Sequence, residues 1–270
     1  MSYFSLSLGK GDIPIAEIIN PKNRADVEDN TIKVKDKKLV RKFVYLNELT
    51  EPNPNAPKQL KMTGKEILRP IMRRQAGGHP NRVFIAGASL SGKSYLASKL
   101  AKDYTQNFKK NKVINFSWVE DDKNYKKLKN YHKIRIDDEI LENPIELDEL
   151  HDSICIFDDI QHYTDKHIRA ELERIRDSAL QAGRHKNIDV IVCSQNLLDG
   201  PKTKHCVNNV FQVIGFPQSA SRYQLSEWLR RYVRLNESEV RTIINLPSRW
   251  VLVNVASPVY VLYERGCLIL

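Results

Sequence analysis

The chain has 270 residues, is 41% hydrophobic and 28% charged, and contains 11 Gly and 12 Pro, a composition that excludes collagen, coiled-coil arrays and a mainly disordered chain and suits one domain with additions. Lys and Arg outnumber Asp and Glu by 43 to 33, and the resulting +10 leans towards a polyanionic partner. No apolar run approaches the ~18–20 residues needed to cross a bilayer, and the start MSYFSLSLGKG lacks the charged and apolar regions of an export signal, so a soluble, unexported protein with no membrane span is expected.

Residues 1–60 read as an N-terminal extension of short apolar stretches mixed with charge, closed by the proline-broken EPNPNAP (Glu51 to Pro57). Residues 61–270 read as one domain, with a motif core at 80–215 and C-terminal helices and a β-hairpin at 216–270. In Met62 to Gln75, Ile67, Leu68, Ile71 and Met72 stand at helical spacing behind Thr63, which predicts a helix. Then short apolar runs alternate with amphipathic stretches: VFIA (Val83 to Ala86), VINFSW (Val113 to Trp118), ICIF (Ile154 to Phe157) and VIVCS (Val190 to Ser194). Such alternation predicts an α/β fold with a mainly parallel central sheet. Ile168, Leu172, Ile175 and Ala179 make one apolar face of a crossover helix, with Arg169, Glu173 and Arg176 pointing elsewhere. VFQVIGF, the helical YQLSEWLRRYV and ESEVRTIINL, and the strands WVLVNVA and VYVLYE follow, the last two read as a hairpin ending at Gly266. Cys155, Cys193, Cys206 and Cys267 show no CxxC spacing and read as reduced core residues.

The run Gly87-Ala88-Ser89-Leu90-Ser91-Gly92-Lys93-Ser94 follows a strand and opens a helix, the context that a phosphate-binding loop demands. Its glycines let backbone N–H groups turn inward, and the helix start adds a positive dipole end. Lys93 would reach the β and γ phosphates of ATP, and Ser94 would give a hydroxyl to Mg²⁺. The apolar strand ending in Asp158 and Asp159 supplies the acids: Asp158 for the metal, Asp159 for the attacking water. Paired acids capping a following helix are the structural alternative. Gln195, at the tip of IDVIVCSQN, is placed to sense the γ phosphate or orient water, or else is a loop amide. Arg184, in GRH at the end of the crossover helix, suits a finger reaching a neighbouring subunit, or complements the helix dipole.

With GASLSGKS, the apolar run into Asp158-Asp159, GRH before the next strand and the polar tip Ser194-Gln195, the sequence resembles P-loop ATPases with an additional strand between the phosphate-loop and acidic strands. Within these it resembles the viral genome-packaging branch of the FtsK/HerA superfamily, the poxvirus-type packaging ATPases of large DNA viruses. The resemblance covers residues 80–215. It implies a homo-oligomeric ring that hydrolyses ATP to move double-stranded DNA into a capsid, working with a capsid or portal protein in a virion or in the host-cell cytoplasm. By residue it implies Lys93 and Ser94 on ATP and Mg²⁺, Asp158 on Mg²⁺, Asp159 in water activation, Gln195 as sensor and Arg184 as finger. One departure is that the superfamily's water-activating residue is usually Glu, longer than Asp159 by a methylene.

Two basic patches are candidates for DNA phosphates: Arg222, Arg230, Arg231, Arg234 and Arg241 beside Tyr223 and Tyr232, and the segment Lys33 to Lys42. Either also reads as a solvated face. His162, His185 and His205 lack metal-ligand spacing. A nucleotide-dependent switch and a small-molecule kinase share the phosphate loop and are the rival classes.

Overall fold

The computed structural model describes residues 3–8, 10–19, 42–62, 66–74, 78–119, 122–219 and 221–270. In chain order the elements are β1 (Tyr3–Leu8), β2 (Ile13–Ile19), β3 (Lys42–Leu49), β4 (Gln59–Lys61), β5 (Ile67–Pro70), β6 (Arg82–Ala86), α1 (Lys93–Asn107), β7 (Lys112–Ser117), β8 (Tyr131–Lys133) and α2 (Glu139–Glu142). Then come β9 (Ser153–Asp158), α3 (Lys166–Ala182), β10 (Ile188–Ser194), α4 (Pro201–Asn209), β11 (Gln212–Gly215), α5 (Arg222–Trp228), α6 (Glu237–Ile244), β12 (Val251–Asn254), β13 (Tyr260–Tyr263) and β14 (Gly266–Ile269).

The central sheet is ten-stranded, in the order β4-β14-β13-β12-β11-β6-β10-β9-β7-β8. From β11 to β8 the neighbours run parallel; from β11 to β4 they run antiparallel. Strands β6, β9 and β10 are buried at every position, which is why they read as unbroken apolar runs instead of alternating ones. The pleat sends alternate residues to opposite faces. Phe84, Phe116 and Phe157 join Leu172, Ile175 and Trp228 on one face. Val83, Ile85, Ile154 and Ile156 meet Leu96, Leu100 and Tyr104 of α1 on the other. Helix α3 begins where Asp165 accepts from the backbone N–H groups of His167 and Ile168 at 2.7 and 3.0 Å.

A four-stranded antiparallel sheet, β1-β3-β2-β5, packs on the α1 face, with Leu6, Ala16, Val44, Leu46 and Leu68 in the same core as Val83 and Leu96. The helix expected over Met62 to Gln75 is therefore corrected at 66–74; Thr63, its expected cap, and Gln75 lie outside the described residues. Ile67 to Pro70 form a strand whose burial alternates, pairing with β2 at the edge of the small sheet, where Pro70 needs no donor on its open side. Leu68 N–H further donates to the Glu264 carbonyl at 2.8 Å. Tertiary pairing overrides the helical spacing of Ile67, Leu68, Ile71 and Met72.

Two smaller expectations change. The C-terminal strands do not stop at Gly266: that residue starts β14, which joins β13 to β4 and so ties Gln59–Lys61 into the large sheet. Arg176 does not point away from the core; it is buried on α3, with its Nε 2.8 Å from Asp177. All four cysteines are free and buried, in keeping with the reduced-core reading.

Candidate functional site

Strand β6 delivers the chain into the loop Gly87–Ser94 at the carboxyl edge of the parallel strands. Gly87 N–H donates to the Ser194 carbonyl at 3.0 Å, fixing the loop's first residue to the tip of β10. No side chain fits there: a Cβ on Gly87 would lie 2.5 Å from the Phe216 ring and 2.7 Å from Ser91 Oγ. Ser91 N–H closes a turn on the Ala88 carbonyl at 3.2 Å, which leaves Ser89 and Leu90 exposed at the crest. Gly92 has φ 104° and leads into α1, whose first turn holds no acidic residue and whose first N–H groups have no side-chain cap. That combination leaves a cluster of backbone donors at a positive helix end, an anion cradle.

Lys93 folds back under this loop and is only 6% exposed. Its Nζ lies 3.4 Å from the Ala88 carbonyl and 3.8 Å from Asp159 Oδ2. Asp158 is the last residue of β9 and 4% exposed. The Tyr125 hydroxyl donates to its Oδ2 at 3.3 Å, while Oδ1 is buried without a hydrogen-bond partner. Burial pushes the Asp158 carboxyl up from its usual range, and the Asp159 charge adds to this; the Ser94 hydroxyl, the Lys93 ammonium and Tyr125 oppose it. A buried carboxylate with an orphaned oxygen, against a serine hydroxyl, fits a divalent cation held by Ser94 and Asp158 and completed by phosphate and water oxygens. Among the described residues no group of three or more His, Cys, Asp or Glu forms an all-protein metal cage.

Asp159 turns out of the strand at φ 52°, a left-handed conformation that Asp tolerates better than most residues. Its N–H donates to the Cys193 carbonyl at 3.2 Å, and its Oδ1 accepts from Gln161 Nε2 at 3.2 Å. Gln161 Nε2 also reaches Ser194 Oγ at 3.4 Å, bridging the tips of β9 and β10. Gln195 Nε2 lies 2.8 Å from His162 Nε2.

The loop Gly87–Ser94, Asp158, Asp159 and Gln195 thus converge on one edge. Arg184 does not join them. It is exposed in a 3-10 turn, Gly183–Lys186, before β10, whose other end carries Ser194. There its Nε lies 3.2 Å from His185 Nε2, and its charge, after burial, lowers the pKa of Arg82 at the start of β6.

Several neighbours of the site escaped the sequence reading. Phe216 closes on the glycines of the loop, and the Arg249 guanidinium stands beside Gly92, 3.8 Å from where a Cβ would sit. Arg249 N–H is anchored to Glu264 Oε2 at 3.0 Å, so the Leu246–Trp250 turn is braced by the β13–β14 turn. Gln161 stands two residues after Asp159 in the sequence, whereas nothing in the sequence points to Tyr125.

A strand, glycine loop and helix, an acid at the end of a parallel strand, and β10 inserted between the two strands together define the P-loop NTPase fold of the additional-strand type. The chain belongs to the family of the V3 protein of Sputnik virophage, described as uncharacterized, with which it shares 34% identity over 186 residues, 68% of this chain and 75% of the relative. No family model matches it. Among solved structures it is similar to B204, the DNA-packaging ATPase of Sulfolobus turreted icosahedral virus, at 19% identity over 70% of this chain and 97% of that one, with a TM-score of 0.46. The cytoplasmic domain of the Type VII secretion ATPase EccC of Thermomonospora curvata shares 14% identity over 80% of this chain and 29% of that one, at a TM-score of 0.48. The conjugation coupling protein TcpA of pCW3 shares 13% identity over 96% of this chain and 87% of that one, at 0.46.

Proposed function

We propose that the protein is an ATP-hydrolysing motor that translocates double-stranded DNA and packages a viral genome into a capsid. The observation that carries the hydrolytic part is the cluster at the loop: Lys93 buried between the Ala88 carbonyl and Asp159, and Asp158 holding an unpaired buried oxygen beside Ser94. A loop that only bound phosphate would not need two acids facing its lysine.

In this reading the backbone N–H groups of the loop take the β phosphate, and Lys93 spans the β and γ phosphates. Mg²⁺, held by Ser94 and Asp158, would neutralise charge developing on the phosphate oxygens. The Lys93 ammonium lies 3.8 Å from Asp159 Oδ2. Drawing it to the phosphates frees the Asp159 carboxylate, steadied by Gln161, to accept a proton from the attacking water. Gln195, paired with His162, is suited to register the γ phosphate. Arg249, whose guanidinium stands beside Gly92, adds a cation to the flank of the loop. Arg184, remote from its own site, is the residue offered to a neighbour's γ phosphate in a homo-oligomeric ring.

The packaging half draws on the +10 charge and on a relative from a virophage. It brings with it duplex DNA, a capsid or portal protein, and a working place in the virion or host-cell cytoplasm. No helix among the described residues is long and apolar enough to cross a membrane. The test is phosphate release from ATP with and without duplex DNA, alongside sizing of the particle. Turnover that rises with DNA in an oligomer is expected. Nucleotide binding without turnover would favour a switch, and transfer to a small acceptor would favour a kinase.

A further inference from the structure

The charge of the described surface is uneven. The arginines that the sequence offered for DNA are largely satisfied within the protein: Arg230 pairs with Glu227 at 3.0 Å and Glu237 at 2.9 Å, Arg231 with Glu227 at 2.8 Å, and Arg241 with Glu237 at 3.1 Å. The other offered segment, Lys33 to Lys42, lies outside the described residues apart from the backbone of Lys42 at the start of β3.

A different stretch stands out. Residues 109–135 carry nine Lys and Arg against three Asp and Glu, or +6 of the chain's +10. Between β7 and β8, Lys123, Lys127 and Lys129 are exposed, and Asn130 Nδ2 staples this segment to the turn holding exposed Lys109 and Lys110, donating to the Lys109 carbonyl at 3.0 Å. Cations crowd here: beyond the effect of burial, the charges of Arg69 and Lys127 lower the pKa of Lys102. Within 122–130 one side chain is buried, Tyr125. Its ring stacks on Tyr131 at 6.1 Å, and its hydroxyl is the one that donates to Asp158 Oδ2. A segment rich in exposed lysines is therefore joined through one tyrosine to the acid assigned to the metal.

We propose that residues 122–130 are the DNA-responsive element of the motor: their lysines grip the phosphate backbone of duplex DNA, and Tyr125 passes the engagement to Asp158. The inference rests on the motor reading above and deepens it. The chemistry favours duplex backbone over other polyanions. The exposed side chains of this segment are lysines and asparagines, which suffice for phosphates. An acidic protein would want an aromatic or apolar anchor at the centre of its contact. Single strands want rings to stack on, and here the Tyr125 ring is buried. Tyr125 is a positioning residue, acting through the carboxylate that it orients.

The experiment uses the full chain. In the triple variant Lys123→Gln, Lys127→Gln, Lys129→Gln, turnover without DNA stays at the wild-type level. The plot of log affinity for a fluorescent duplex against log salt becomes shallower by about 2 to 3, roughly 0.9 for each lysine that contacts a phosphate. Stimulation of phosphate release by the duplex is lost. The variant Tyr125→Phe keeps the affinity and the salt slope of wild type but loses most of the stimulation, and its turnover reaches half-maximum at a higher Mg²⁺ concentration. A wild-type protein that hydrolyses ATP yet neither binds nor responds to duplex overturns the motor reading and this inference together. A wild type that responds, with a triple variant of unchanged slope and stimulation, overturns the inference alone. A triple variant that keeps duplex binding but loses binding to poly-glutamate assigns the patch to an acidic protein and overturns it too. Full stimulation and unchanged Mg²⁺ dependence in Tyr125→Phe overturn the relay.

Discussion

Replacing Lys93 with Met removes the ammonium and keeps most of the buried stem, so the variant separates charge from packing. In the protein the ammonium sits 3.8 Å from Asp159 Oδ2, a gross attraction of about 4 kcal/mol at an effective dielectric constant of about 20. ATP binding exchanges this partner for the β and γ phosphates, and only the difference appears as affinity. A hydrogen bond to a charged group is worth about 1.5–3 kcal/mol net, so ATP should bind about 10- to 150-fold more weakly to Lys93→Met. Turnover should fall further, because without the lysine the Asp159 carboxylate faces the triphosphate with no cation between them. Calorimetric titration with ATP gives the first quantity, and phosphate release under saturating MgATP gives the second. Lys93→Ala should add a loss of stability from the missing stem. Phosphate release near the wild-type rate in Lys93→Met, with the fold intact by circular dichroism, would refute the assignment of the loop.

Asp159→Asn should bind ATP and fail to turn it over, whereas Asp158→Asn should lose its response to Mg²⁺ titration; identical behaviour of the two in a Mg²⁺-dependent phosphate assay would erase the division of labour. Gly87→Ala drives a methyl to within 2.5 Å of Phe216 and should destabilise the protein by about 1–3 kcal/mol and weaken ATP binding, read by denaturant unfolding and titration. Arg184→Ala should bind ATP normally as a single subunit but hydrolyse it slowly when assembled, and mixing with Lys93→Ala subunits should restore turnover; mixtures as inactive as either variant, with normal assembly, reject the finger. Asp189 is wholly buried and its carboxyl is pushed from 3.8 to about 6, chiefly by burial. Its contribution to stability is therefore present below about pH 4 and lost as pH rises to about 6, a change of about 3 kcal/mol. Asp189→Asn should remove that component from a pH series of unfolding curves, and parallel curves for the two proteins would contradict it.

The parallel strands were legible because sheet strands buried on both faces must be continuously apolar, and VFIA, ICIF and VIVCS have no other economical reading. The loop was legible because its chemistry needs fixed residue types at fixed spacing. Met62 to Gln75 misled because Ile67, Leu68, Ile71 and Met72 satisfy a helical face while Ile67 and Leu68 also suit a short strand, and the sheet that selects the strand is built from β2. Pro70 was the available warning. Arg176 misled for a related reason: periodicity assigns a face, but a guanidinium paired with Asp177 can be buried on it. Tyr125 and Arg249 meet the site only through tertiary folding, and Tyr125 sits in no local pattern that marks it.

Consecutive carbonyls on β10 hold the two halves of the site: Cys193 accepts from Asp159 and Ser194 from Gly87. Neither half can shift alone without breaking a bond to a strand buried along its whole length. The amide protons of Gly87 and Asp159 should accordingly exchange with solvent deuterium as slowly as those of the sheet interior, even with no nucleotide present. Ordering entropy on nucleotide binding then falls on the exposed crest at Ser89 and Leu90, and the backbone near the acids contributes almost none of it.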